Sequence, residues 1–121
     1  MNLEQLIAHL FGDYVLQSKW MAHEKVKRSF PALVHVVFYT IPFLFITQSP
    51  LALAGIMIPH FFIDRFGLAQ YVVKLRDLIG PKSYKGKEVP VWISFWLLVI
   101  ADNSIHLLTN MLAIKYLDCG C

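Results

Sequence analysis

Three pairs of residues in this chain set an imidazole and a carboxylate one helical turn apart: His9 with Asp13, His60 with Asp64, and Asp102 with His106. Side chains four residues apart on a helix share a face, so each pair can aim both groups at one point. Scattering the chain's histidines and aspartates at random yields roughly 0.4 such pairs, well short of three. A fourth histidine, His35, lacks an acidic neighbour at that spacing but has Tyr39 one turn on. Neutral imidazole with carboxylate is the ligand set of zinc, iron and manganese proteins, and helical bundles build such sites from facing helices. His9, Asp13, His35, His60, Asp64, Asp102 and His106 are therefore candidate ligands of a divalent metal ion, zinc, iron or manganese. Asp64 and Asp102 are the candidate catalytic carboxylates. Gln17, Asn103 and Asn110 suit hydrogen bonds to the ligands better than ligation. His23, in a basic turn, stands outside the set.

The surroundings of these groups are apolar. The chain is 57% hydrophobic and 16% charged, with a mean hydropathy of +0.55; globular proteins average about 25% charged residues. Segments 33–46, 51–63 and 91–101 are long apolar runs, and a membrane span needs only about 20 mostly apolar residues. The expected fold is all-α: one integral membrane domain over 1–121, a four-helix transmembrane bundle with spans near 2–22, 30–47, 51–67 and 91–117. A short interfacial helix on the cytoplasmic side is expected after the third span, ended by Gly80-Pro81. Ionisable groups at membrane depth are costly and usually mark a function.

Local signals refine each span. Gln5, His9, Asp13 and Gln17 form a polar stripe along the first, which must turn toward other helices. The start Met1-Asn2-Leu3-Glu4-Gln5 lacks the basic region of a secretory signal, so this helix is expected to stay. Ser29-Phe30-Pro31 reads as a capped helix start, and Pro42 predicts a kink. Gln48-Ser49-Pro50 predicts a tight hairpin. Pro59 leaves the Gly55 carbonyl without its donor and predicts a bend beside His60. Trp92 and Trp96 suit an interfacial anchor. From helix directions and a rise of about 1.5 Å per residue, the polar groups spread over about 10–15 Å along the bundle axis.

The net charge of +3 is unevenly distributed. Lys25, Lys27 and Arg28, then Lys74, Arg76, Lys82, Lys85 and Lys87, fall on one side of a four-span topology, with Lys19 and Arg65 at helix ends on that side and Lys115 opposite. Positive residues mark the cytoplasmic face, so both termini should point outward. Membrane lipids are the expected partners, nucleic acid is not, and self-association into a homo-oligomer stays open. Arg65 leaves its helix about 100° from Asp64 and should snorkel to headgroups. Glu24 and Glu88 read as solvated. Cys119 and Cys121 read as an exposed tail able to form a disulfide in an oxidising compartment.

Three functions fit the His/Asp constellation. A metal would relieve the buried carboxylates and activate water for hydrolysis of a phosphorylated or lipid-like substrate. Alternatively, Asp and His chains serve proton or ion pathways. Interhelical His–Asp hydrogen bonds that merely join helices are worth about 0.6 kcal/mol each in membranes, a small return for so many costly groups.

The pattern His9-Leu-Phe-Gly-Asp13-Tyr-Val-Leu-Gln17, then Lys25, His35, His60-x-x-x-Asp64 and Asp102-x-x-x-His106 resembles domain-of-unknown-function family 3307 over nearly the whole chain. It departs where Asp102-Asn103 stands for the family's Asp-Gln. The resemblance implies a small polytopic protein of bacteria or phage, hence a bacterial inner membrane with periplasmic termini, and brings no established activity. It also admits a non-catalytic phage protein acting on host membrane machinery. A looser similarity to small inner-membrane metal-dependent hydrolases favours the metal reading by analogy alone.

Overall fold

From Val91 to Leu117 the chain has neither glycine nor proline, and nothing there interrupts helical hydrogen bonding. The computed structural model describes residues 2–84 and 87–118, and it forms this stretch as one 27-residue helix, α6. Among the described residues α6 alone is long and apolar enough to cross a membrane without a bend. Its bounds coincide with the fourth expected span. Cys119 and Cys121 lie outside the described residues.

The first expected span is not one helix. Asn2 caps α1 (Leu3–Leu10), its side-chain oxygen accepting from the Gln5 amide at 3.1 Å. The chain then widens into a π-helical turn, Phe11–Val15, leaves helical geometry, and restarts as α2 (Lys19–Glu24) under a Ser18 cap. The continuous helix over 2–22 is thus corrected to two helices joined by a wide turn. Two local features account for it. The Ser18 hydroxyl oxygen accepts from the Met21 amide at 3.2 Å and starts a new helix. The Asp13 carbonyl accepts from Gln17 Nε2 at 2.9 Å. Gly12 sits in the turn where a Cβ would collide with the Tyr39 ring, so the close approach requires glycine.

α3 (Ser29–Thr40) passes into a 3₁₀ segment, Ile41–Phe45, where Pro42 removes an amide donor. The Ser29 hydroxyl does not cap α3, since the N-cap position is Arg28, which makes no side-chain cap. Ser29 Oγ instead accepts from Arg65 Nε at 3.3 Å, and Arg65 Nη1 donates to the Val26 carbonyl at 3.0 Å. Arg65 therefore ties the end of the next helix to the turn before α3.

Ser49 caps α4 (Pro50–Phe66), completing the expected hairpin. α4 stays helical through Pro59. The large bend comes later, at Gly67, whose φ of +59° places it in the left-handed region and ends the helix. α5 (Leu68–Leu78) departs at 67° to α4. The helix axis therefore turns just after Asp64 and Arg65.

α4 packs most extensively on α6 and next on α3; α5 folds back onto α6, and α1 lies against α6 and the 3₁₀ segment. Ala8, Tyr39, Phe43, Ile56 and Ala113 form an apolar core, with Ile46, Leu53, Ile114 and Leu117 around it. Gly55 permits the α4–α6 approach, because a Cβ there would lie 3.0 Å from that of Ala113. Large apolar side chains such as Phe45, Ile79 and Val91 cover the outside. The interior instead holds His9, Asp13, His35, His60, Asp64, His106 and Asn110.

Candidate metal centre

Four elements meet at one carboxylate. Asp64, at the end of α4, presents Oδ2 at 3.1 Å to both His60 Nε2, one turn earlier, and His35 Nε2, from α3. The two ring nitrogens are 2.9 Å apart. Asp13, which the π turn directs inward, places Oδ1 at 3.2 Å from His35 Nε2 and 3.6 Å from His60 Nε2. His35 and His60 are wholly buried, and Asp13 and Asp64 nearly so.

This set of distances is awkward for hydrogen bonds. Between the two imidazoles only one nitrogen can donate to the other, which leaves the acceptor with no hydrogen for Asp64. Among the described residues Asp13 Oδ1 has no hydrogen-bond partner, and neither have the Nδ1 atoms of His35, His60 and His106. The same distances suit a shared cation. Donors bound at about 2.0–2.2 Å to one ion lie about 3.0 Å apart when octahedrally cis and about 3.4 Å apart when tetrahedral. The five edges, 2.9, 3.1, 3.1, 3.2 and 3.6 Å, straddle those values. Asp13, His35, His60 and Asp64 are thus a buried group able to hold a metal ion.

On the opposite side of Asp64, Oδ1 accepts from His106 Nε2 at 3.0 Å. That nitrogen is also 3.4 Å from Asp102 Oδ2, its one-turn partner on α6. Asp13, Asp102 and His106 form a second group with ligand atoms mutually within 4.8 Å. Members of the pairs predicted on three helices thus converge, and in place of the expected spread of about 10–15 Å the ligand atoms of each group lie within 4.8 Å of one another.

His9 stands apart. Its Nε2–H donates to Asn103 Oδ1 at 2.7 Å, its Nδ1 accepts from the Tyr39 hydroxyl at 2.7 Å, and Asp13 Oδ2 is farther off at 3.6 Å. The Tyr39 oxygen in turn accepts from Asn110 Nδ2 at 2.6 Å, and Asn103 Nδ2 donates to the Tyr14 hydroxyl at 2.7 Å. Donors and acceptors alternate in one direction from Asn110 to Tyr14, which sets His9 as the neutral Nε2–H tautomer. With both nitrogens engaged, His9 belongs to neither ligand group. The Tyr39 ring stacks on His60 with centroids 3.7 Å apart and so holds the orientation of that imidazole. Gln17 bonds the Asp13 backbone, Asn103 the imidazole of His9, and Asn110 the hydroxyl of Tyr39. All three lie beside the cluster.

Lys25, grouped by charge with the basic residues of the cytoplasmic side, joins the site. It follows α2, and its Nζ reaches Asp64 Oδ2 at 2.8 Å. Burial alone would lower its pKa, but the Asp64 and Asp13 carboxylates outweigh that and hold it above the usual lysine value. Its presence in the motif pattern was the available signal; its position in a basic turn concealed it. A cavity of about 470 Å³ opens beside it, lined by Tyr14, Gln17, Lys25, Asp64, Gln70 and Asp102 among others. Asp102 is the most exposed carboxylate of the cluster, with 33% of its side chain accessible against 2% for Asp64. Glu24, expected in a loop, ends α2 and bonds Arg28 at 3.2 Å.

The model of the family described as "Protein of unknown function (DUF3307)" matches residues 1–114. The chain belongs to the DUF3307 family. The match covers every residue of the cluster. No curated protein and no solved structure matches this DUF3307 chain.

Proposed function

We propose that this DUF3307 protein is a membrane-embedded metal protein that binds a divalent ion, zinc, iron or manganese, through Asp13, His35, His60 and Asp64. One observation carries the reading: four buried donor atoms from three segments lie 2.9–3.6 Å apart along five edges, and the His35–His60 contact cannot be a hydrogen bond together with both imidazole contacts to Asp64. Two carboxylates so deep in the bundle carry a desolvation cost that a divalent cation offsets. The membrane reading draws support from the inversion of polarity, apolar outside and ionisable within, and from α6, of whose most apolar stretch only 6% is buried inside the protein. The four-span bacterial inner-membrane topology with outward termini is retained, with the first span discontinuous. Broken helices at membrane depth occur where the freed backbone is buried or lines a cavity, as at Asp13 and Gln17.

The chemistry the site favours is hydrolytic. A bound divalent ion acidifies a coordinated water. The cavity brings a substrate past the Lys25 ammonium to Asp64 and Asp102, which suits a phosphate-bearing, lipid-like molecule entering from the basic side. Asp102, with 33% of its side chain exposed at the cavity, suits the role of accepting the proton of an attacking water. Elemental analysis of the purified protein in detergent tests the proposal. Stoichiometric metal that disappears in His60→Ala is expected; metal-free protein, folded equally well in both forms, overturns it.

A second reading rests on Lys25. Its ammonium already neutralises Asp64 from the protein's own side chains, as a protonatable relay requires. In liposomes that reading calls for a pH-driven flux abolished by Asp64→Asn, which a hydrolase does not show.

A further inference from the structure

The two oxygens of Asp64 face different histidines. Oδ2 is shared by His35 and His60, each at 3.1 Å, whereas Oδ1 lies 3.0 Å from His106. Asp13 divides in the same way, with Oδ1 toward His35 and His60 and Oδ2 toward His9. A carboxylate that serves one ion turns both oxygens, or its nearer one, to that ion. Asp64, whose two oxygens face different ligand histidines, is arranged as a bridge, and Asp13 is the residue common to both ligand groups. The His60 and His106 rings sit with centroids 4.1 Å apart, so the two nitrogens reach neighbouring points on the bundle axis. Asp13, Asp102 and His106 supply a ligand group of their own.

We infer that the centre is dinuclear: a second divalent cation binds between His106 and Asp102, bridged to the first by Asp64 and Asp13. The inference rests on the one-metal reading above and extends it. Paired ions in hydrolytic and phosphoryl-transfer sites lie about 3.5–4 Å apart, a span that one bridging carboxylate covers. Helical bundles build dinuclear carboxylate sites from inward-facing Asp or Glu and His at helical spacing.

The two positions differ in access. The ligands of the first are buried on all sides. The second has Asp102 at the wall of the cavity, with Lys25 close by. The first ion therefore holds the helices together and exchanges slowly; the second keeps an open coordination position toward the cavity and exchanges quickly. Lys25, paired with Asp64 Oδ2 on the wall of the same cavity, is a fixed cation that selects an anion entering there. The substrate class that follows is a phosphate ester whose non-bridging oxygens can contact both ions and the Lys25 ammonium at once.

The test is to load the full-length chain in detergent micelles with Mn²⁺, remove free ion by gel filtration and count bound metal. Two ions per chain are expected, falling to one in Asp102→Asn, with a chelator removing one ion quickly and the other slowly. Electron paramagnetic resonance of the loaded wild type reads the bridge without any substitution, since carboxylate-bridged Mn²⁺ gives a spin-coupled spectrum. One ion per chain with an uncoupled spectrum, unchanged by Asp102→Asn, overturns the dinuclear centre and leaves the single site standing. Two ions that Asp102→Asn does not reduce place the second elsewhere and also overturn it. No bound metal in folded wild type removes both readings.

Discussion

The bundle has two interiors, and they are held by different physics. One is the apolar cluster of Ala8, Phe43, Ile56 and Ala113, closed by Leu53, Ile114 and Leu117. Its contacts are non-directional, and any side chains of suitable volume serve. The other interior, His35, His60, Asp13, Asp64 and His106, is equally buried. Burial there is unfavourable for every charged member, and directed partners such as the Lys25 ammonium on Asp64 make it tolerable. Tyr39 joins the two. Its ring packs on Phe43, with centroids 5.3 Å apart, and stacks on His60, while its hydroxyl links His9 to Asn110. The apolar layer thus depends on volume, whereas the polar layer depends on the direction of each partner.

Substitutions can break that comparison. The largest effect is expected at the polar layer. Asp64→Ala leaves Lys25 and three imidazoles without their shared carboxylate, and removing one partner of a buried pair costs about 3–5 kcal/mol. Thermal unfolding in detergent should show that loss together with complete loss of bound metal. Retained metal with unchanged unfolding would mean that Asp64 is not the hub of the site.

Phe43→Ala probes the apolar layer. A wholly buried phenylalanine truncated to alanine costs about 3–5 kcal/mol. Here the metal content of the folded fraction should equal that of wild type. If metal falls with stability, the two layers are one cooperative unit and the distinction fails.

The smallest effect is expected at the junction. Tyr39→Phe keeps the ring on His60 but strips the hydroxyl from His9 and Asn110, and unpaired buried groups cost about 1–3 kcal/mol. Chemical denaturation should show that modest loss with metal stoichiometry intact. A loss of metal comparable to that in His60→Ala would place the Tyr39 hydroxyl inside the ligand system.

The helical class, the bounds of α4 and α6, the tight hairpin at Ser49 and the pairing of His with Asp were legible because each is a local matter. Four-residue spacing states which side chains share a face whatever the helix packs against. The motif pattern likewise identified the family.

What only the tertiary structure decided was which faces meet. One-turn spacing treats His9–Asp13 as equivalent to His60–Asp64. The π turn at Phe11–Val15 breaks that equivalence by widening the helix after His9, so Asp13 turns to the cluster and His9 to Asn103 and Tyr39. The helix runs on through Pro59 and the 67° turn comes at Gly67, because a proline's missing donor strains a helix only locally, whereas a positive φ ends it. Lys25 read as one of several surface cations, since no local pattern records that a turn will fold under a neighbouring helix. His35, without a carboxylate on its own helix, shares two from other elements. Spacing along one helix is a property of the chain; the rotation of helices about their axes is settled by packing. The shared carboxylate of Asp64 is a product of that rotation.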